Sequence, residues 1–541
     1  MTLEEKHKLA LDRFRLVEIT EEDQRKCELE DLKFDAGDQW SDDAKQARAG
    51  AAASGTSPVV PPRPMPVIRT LDQPIAQVIN AARNARQAVK ISPRSEGADQ
   101  FTADVIGGII RAIEYESRAQ SVYLGTGAYQ RAVIAGRGGW VIEKEYASDE
   151  PGEWDQVLRI RGVANGASLY LDPWTEDVND PAGPKWGFRT IDYPEDTYKE
   201  LYGETKLAEA DTDSLLTSIS DPKNTWITAD TNGKPIYRVA QYWFVEMDTT
   251  TDVHPDDPSM TREITERKVF WSTINGMEFI DEPTEWDGQF IPIPRVVGIE
   301  KNVGGARSWE GMIRAAIGPC RMINFGAATI QENMGLSTRG KWIGYTGQFE
   351  GHPEWNTANS RNWNKLEANA TTDDTGSNVL PLPTWSQADP GIQPAIESVN
   401  VFTGFVRSTT GVPDAALGNV NPSDRSGSAI KQLQQASEQG TSNYPDNLRR
   451  ALEQNGHILL DLIPKVYDRP GRKIHILTGQ TDEQQEVILG QPFVLGQDGS
   501  PQPVLAPNGE AIMDPALASR MTQGQSKFID LTKGKYSVVV E

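Results

Sequence analysis

One segment constrains this chain more than any other. Residues 428 to 467 read as a single helical tract, and forty helical residues at 1.5 Å each rise about 60 Å, longer than a small domain can bury. The C-terminal half is amphipathic, with Leu448, Leu452, Leu459, Ile463 and Val466 in helical phase. The N-terminal half, IKQLQQASEQGTSNY, is mostly uncharged and polar, and is expected to pack against another subunit. Pro445 predicts a bend or break between the halves.

The rest of the chain fits a helix-rich α+β protein. Residues 1 to 40 read as helical, with Thr20 to Asp23 as a capping box and Leu29, Leu32 and Ala36 as an apolar stripe. EDLKFDAGDQW ends that segment, with Gly37 as the stop and Trp40 as an anchor. ARAGAAASGTSPVVPPRPMPV follows and predicts an extended arm. Helices are expected from Leu71 to Val89, Thr102 to Ala119 and Ser121 to Ala135. After Gly139 the period changes to two, and WVIEKEY, QVLRIRGV, ASLYLDP, IYRVAQYWFVEM, ITERKVFWSTI and FIPIPRVVGIE read as strands. A helix from Ser308 to Leu336, kinked at Pro319, and a shorter one ending at Gly411 bracket a segment rich in Trp, Asn, Thr and Gly. In that segment KWIGYT and NVLPLP are the strand candidates. The chain closes on FVLGQDGSPQPVL and YSVVVE; it stops directly after a strand, and a continuation is expected.

Chemistry is hard to find. The 541 residues suggest roughly two to four domains. No apolar run reaches the length of a membrane span, and the first residues lack a signal peptide's apolar core. Cys27 and Cys320 make no disulfide framework or metal site, and His7, His254, His352, His457 and His475 lack ligand spacing. Gly125-Thr-Gly127 lacks a third glycine, and Gly233-Lys234 and Gly340-Lys341 lack the Ser or Thr of a P-loop. The net charge of −23 argues against a surface that grips nucleic acid, though not against one that lets it slide past. A glycoside hydrolase is the enzymatic alternative, with WDGQF and GHPEWNTANSRNWNKLE as the places to look for its paired carboxylates.

Several segments together resemble the portal proteins of short-tailed, double-stranded DNA phages. EDLKFDAGDQW is similar to the family's F-x-x-G-x-Q-W helix ending, and RPMPVIRTLDQPIAQVINAARNARQAVKISPR to the helix and short strand after it. AVIAGRGGWVIEKEY and SLYLDPWTED resemble its helix-to-sheet transition, and GMIRAAIGPCRMIN its G-x-x-R-x-x-x-x-P-x-R-x-x-N helix. TTGVPDAALGN, SGSAIKQLQQ and DNLRRALEQNGHILLDLIPKVYD resemble the segment carrying the spine helix. The resemblance implies the portal fold of wing, stem, clip and crown, with long stem and spine helices, assembling as a ring. On this chain it implies a wing over 1–300, stem helices over 301–336 and 393–411, and a clip over 337–392. A channel-proximal loop would occupy 412–427, the spine helix 428–467 and the start of a crown 468–541, its C-terminal barrel absent.

The implied function is a non-enzymatic connector of twelve subunits at one capsid vertex. Its implied partners are the terminase large subunit, a head-to-tail adaptor, capsid and scaffolding proteins, and double-stranded DNA passing without sequence specificity. Neither a cofactor nor a membrane is implied, and the implied location is the virion, with the host cytoplasm during assembly. Candidate DNA-proximal residues are Asn421, Ser423, Asp424 and Arg425; candidate clip contacts are Arg339, Lys341, Trp342, Trp355 and Trp363. The structural anchors are Gly37, Trp40, Leu448, Leu452, Leu459 and Ile463. Another ring-forming virion adaptor is the second alternative, although adaptors are normally far shorter.

Overall fold

The computed structural model describes residues 2–53, 64–85, 88–95, 98–203, 205–207, 225–254, 257–336, 341–358, 361–373, 376, 378–386, 392–412, 440–469, 471–478, 483–490, 492–495, 501–506, 512, 514–523 and 528–540. These form two compact units. The first comprises 1–36, 71–315 and 410–541, and the second comprises 37–70 and 316–409.

The first unit opens with α1 (Leu3–Thr20) and α2 (Glu22–Asp35). The capping box lies at the start of α1, not at Thr20: Glu5 N–H donates to Thr2 Oγ1 at 3.3 Å and Thr2 N–H to Glu5 Oε2 at 2.9 Å. Thr20 cannot serve as an N-cap because it is still helical, with the next amide, of Glu21, bonded to Val17 O. The apolar stripe expected on α2 is also corrected. Leu29 is 54% exposed, and the buried residues are Glu28, Asp31 and Phe34.

In the second unit, α3 (Asp42–Ala53) claims part of the segment read as an extended arm. Its alanines favour helix strongly enough to absorb one glycine, and Ser41 O accepts from Lys45 N–H at the helix start. Back in the first unit come α4 (Asp72–Asn84) and β1 (Val89–Pro93). Helix α4 is shorter than expected, because Val89 and Ile91 pair as strand with Val540 and Val538. Next are α5 (Gln100–Glu116), α6 (Ala119–Tyr123) and α7 (Tyr129–Ala135). The last two divide what was expected as one helix from Ser121.

The strands follow: β2 (Arg137–Tyr146), β3 (Gln156–Gly162), β4 (Leu169–Leu171) and β5 (Trp186–Pro194). After α8 (Glu195–Tyr202) come β6 (Ile227–Ala229), β7 (Pro235–His254), β8 (Asp257–Ile274) and β9 (Thr284–Glu285). Then come β10 (Arg295–Val297), β11 (Ile299–Val303) and β12 (Ala306–Glu310). The main sheet is antiparallel with order β4-β5-β7-β8-β9 and β6 paired to β7; a smaller sheet runs β10-β2-β3.

An aromatic core covers the main sheet. Phe14 of α1 lies 4.5 Å from the Tyr170 ring and 4.9 Å from Trp226, and Phe188 stacks on Tyr242 at 4.4 Å. Such ring pairs add packing energy beyond the area they bury.

Helix α9 (Met312–Leu336) contains Pro319 and passes from the first unit into the second. It begins four residues later than expected, because Ser308–Glu310 pair with Ile299–Lys301 in a hairpin. The second unit continues with β13 (Lys341–Ile343), β14 (Thr384–Ser386) and α10 (Ile392–Thr410). The strand expected at NVLPLP is reduced to one bridge, Thr372 to Val379, and Thr384–Ser386 pairs with β13 instead. Its prolines remove the amide donors a ladder needs.

The first unit ends with α11 (Asn443–Tyr467), β15 (Lys473–Thr478), β16 (Glu483–Ile488), β17 (Phe493–Leu495), β18 (Pro501–Pro503), α12 (Pro515–Met521) and β19 (Tyr536–Val540). Within the expected spine helix, 428–439 lies outside the described residues. A turn at Ser442 precedes α11, so Pro445 falls in its first turn, where a missing amide costs nothing. Leu448, Leu452, Leu459 and Ile463 are at most 4% exposed. The buried face of α11 packs on β10, β3 and β19.

Candidate functional site

Two side-chain clusters stand out among the described residues, one in each unit. The first grows from the inverted face of α2. Glu21, Glu28 and Asp31 are spaced by seven and three residues, which puts them on one side of consecutive helical turns. Arg137, at the start of β2 and 1% exposed, reaches Glu21 Oε2 at 2.6 Å and Glu28 Oε1 at 3.1 Å. Arg131 of α7 donates to Glu28 Oε2 at 2.8 Å, and Arg25 to Glu21 Oε2 at 3.0 Å. The Arg25 guanidinium also lies 3.9 Å from the Tyr170 ring centroid. Burial alone would raise the Glu21 carboxyl, but Arg137 and Arg25 outweigh it and hold the group below its ordinary range. Asp31 contacts Arg314 at 2.8 Å, yet burial, aided by Glu30 and Glu28, pushes its carboxyl up to about 7. The sequence signal for this cluster was the carboxylate spacing on α2; read as an amphipathic helix, it was missed.

The second cluster builds on the β13–β14 pair. Trp342 and Trp385 are direct cross-strand partners with ring centroids 5.2 Å apart. Trp355 lies edge-on to Trp342 at 5.1 Å and to Phe349 at 5.1 Å. Trp355 Nε1 donates to Glu367 O at 2.6 Å, and Trp363 Nε1 to Thr357 Oγ1 at 3.1 Å. Buried Gln348 ties the ends together, accepting from Tyr345 N–H and donating to Pro381 O, both at 2.8 Å. Ile343, Tyr345, Val379 and Leu382 form an exposed apolar fringe. Trp385 and Phe349 were missed in the sequence, since nothing short of the strand pairing brings them to Trp342.

Gly37 and Trp40 open the second unit. Gly37 has φ +109°, a conformation in which a Cβ would be strained. Trp40 is buried; its Nε1 donates to Pro66 O at 3.0 Å and the Arg48 guanidinium lies 4.8 Å from its ring. Arg48 in turn pairs with Glu332 at 2.7 Å. Helices α9 and α10 approach closely: a Cβ on Gly326 would come within 2.6 Å of Val399 Cγ2.

The family model for phage P22-like portal proteins matches residues 11–541. This chain belongs to the phage P22-like portal protein family. It is also 21% identical over 577 aligned positions to a portal protein of Acyrthosiphon pisum secondary endosymbiont phage 1, covering 100% of this chain and 73% of that relative. The P22-like portal family is a structural family of head–tail connectors.

Within this portal-family chain, Trp342 and Trp355 come together, while Trp363 stands apart on Thr357. Lys341 lies in β13. Arg339, Asn421, Ser423, Asp424 and Arg425 lie outside the described residues. In WDGQF and GHPEWNTANSRNWNKLE, Asp287 pairs with Lys144 at 2.5 Å and Glu354 with His352 at 3.2 Å. No described helix is long and apolar enough to cross a membrane.

Proposed function

We propose that this portal-family chain closes into a ring of twelve subunits at one capsid vertex and forms the conduit through which the genome is packaged, retained and released. The match to the portal family over residues 11–541 carries this reading. Two features of the second unit support it. On α9, Met322, Phe325 and Met334 are 48–61% exposed, and on α10, Ile396, Val401 and Phe405 are 40–52% exposed. Apolar side chains repeated along two helices need cover, and a closed ring supplies it through head-to-tail contacts between copies. The chain's net charge of −23, repeated around a ring, gives a field that disfavours phosphate adhesion, so DNA slides.

In this reading residues 337–392 are the clip, which docks terminase during packaging and the adaptor afterwards, with the tryptophan cluster as its rigid base. The same reading assigns the channel-proximal loop to residues 412–427, with Arg425 as a DNA-proximal residue. Light scattering with negative-stain imaging of the purified chain tests the proposal. Rings of ten or more subunits with a central hole are expected; a monodisperse monomer or trimer at high concentration would overturn it. Deleting residues 345–380 is expected to leave rings intact and abolish adaptor and terminase binding, and loss of the rings would count against the clip assignment.

A further inference from the structure

The charged cluster in the first unit does not balance. Arg25, Arg131, Arg137 and Arg295 cluster around two carboxylates, Glu21 and Glu28, and among the described residues only the first three are ion-paired to them. Arg295, at the start of β10, is 4% exposed. Among the described residues its guanidinium makes no hydrogen bond or ion pair, and its Nε is buried without an acceptor. The guanidinium lies 5.7 Å from the centroid of the Trp309 ring. Burial pushes its pKa down to about 10; Glu21 opposes this only in part, and Arg137, Arg307 and Arg25 add to it. A buried cation without a counter-charge is strongly unfavourable, and structural arginines are normally paired.

Arg295 lines a pocket of about 440 Å³ with Glu21, Gln24, Trp174, Arg307 and Trp309. The carboxylates around it are largely committed. Glu21 is held by Arg137 and Arg25, and Asp172 accepts the Trp174 and Lys185 amides. Glu176 is exposed at the rim, and its main-chain oxygen accepts from Arg307. Arg307 is fixed there by Glu300 at 2.9 Å and Thr175 O at 2.6 Å, so its charge is held at the pocket wall. Trp174, 75% exposed, flanks the opening.

We infer that this pocket is a binding site for one small oxyanion, phosphate or carboxylate, received by the Arg295 guanidinium. The planar fork of Arg suits two oxygens of such a group, and the low-dielectric wall strengthens the contact. The inference is independent of ring formation, because every lining residue named belongs to the first unit.

Calorimetric titration of the purified full chain with inorganic phosphate, and separately with acetate, tests it at constant ionic strength. Saturable binding of one anion per chain is expected, weakened at least tenfold in Arg295→Met. In phosphate-free buffer the Met variant is expected to melt at or above the wild-type temperature, since it sheds an uncompensated buried charge. Phosphate binding well above acetate assigns the site to phosphate-like dianions; comparable binding assigns it to carboxylates. Absence of saturable binding by either anion, or equal binding by Arg295→Met, would overturn the inference. If the Met variant does not fold, Arg295→Lys, which keeps the charge but loses the fork, is expected to bind at least tenfold more weakly, and unchanged affinity there is equally fatal.

Discussion

At the scale of single residues, a buried polar chain in the first unit links distant segments. Trp140 Nε1 donates to Asn455 Oδ1 at 2.9 Å, Asn455 Nδ2 to the Tyr123 hydroxyl at 3.0 Å, and Tyr123 in turn to Glu114 Oε1 at 2.9 Å. Burial pushes the Glu114 carboxyl from 4.5 up to about 7, against the Tyr123 hydrogen bond and Arg111. The folded chain therefore keeps a proton that the unfolded chain releases above about pH 4.5, and stability contributed by this group falls as pH rises from there to about 7. Glu114→Gln keeps an acceptor for Tyr123 without the titration. It is expected to be more stable than wild type by about 3 kcal/mol at pH 8, with the difference vanishing near pH 4. Urea midpoints of both proteins across that range check it, and a pH-independent difference would contradict it. In the second unit, Trp40→Ala removes a buried ring and the donor to Pro66, a loss of about 3–5 kcal/mol of local stability. Faster proteolysis within residues 64–70, and a lower yield of rings, are the expected results.

At the scale of elements, α2 shows how a helix can be oriented by charge. Its apolar residues suggested one face, and the packed molecule buries another, because Arg131 and Arg137 arrive from α7 and β2 and need partners. The two faces make opposite predictions. Glu28→Leu leaves both guanidiniums short of a carboxylate and is expected to destabilise by about 3–5 kcal/mol. Leu29→Glu, one residue along and largely exposed, is expected to stay within about 0.5 kcal/mol of wild type. Thermal or urea denaturation of the pair decides which face is inside. Reversal of that order would restore the apolar-stripe reading.

At the scale of the whole molecule, the chain closes on itself through contacts far apart in sequence. β19 pairs with β1 from Val89–Val540 to Pro93–Tyr536, and α11 packs against β19. Loop-closure entropy must be met before such pairs form, so this part of the first unit is expected to fold late. Truncation before Tyr536 leaves β1 unpaired and uncovers Val89 and Ile91, both buried in the full chain. A lowered urea midpoint with a separate early transition is expected, and an unchanged midpoint would show that β19 is dispensable.

Periodicity and punctuation were enough to determine much of this from the sequence. The buried face of α11, the stop at Gly37, the end of α10 at Thr410, the long strands β7 and β8 and the portal-family resemblance were legible, because each rests on local spacing or a short motif. The tertiary structure alone decided the orientation of α2, the partner of Trp342, the pairing of β1 with β19 and the uncompensated charge on Arg295. The reason is physical: hydrophobic phase is written within one element. The partner of a charge, a ring or a strand edge lies on another element, and only packing brings the two together.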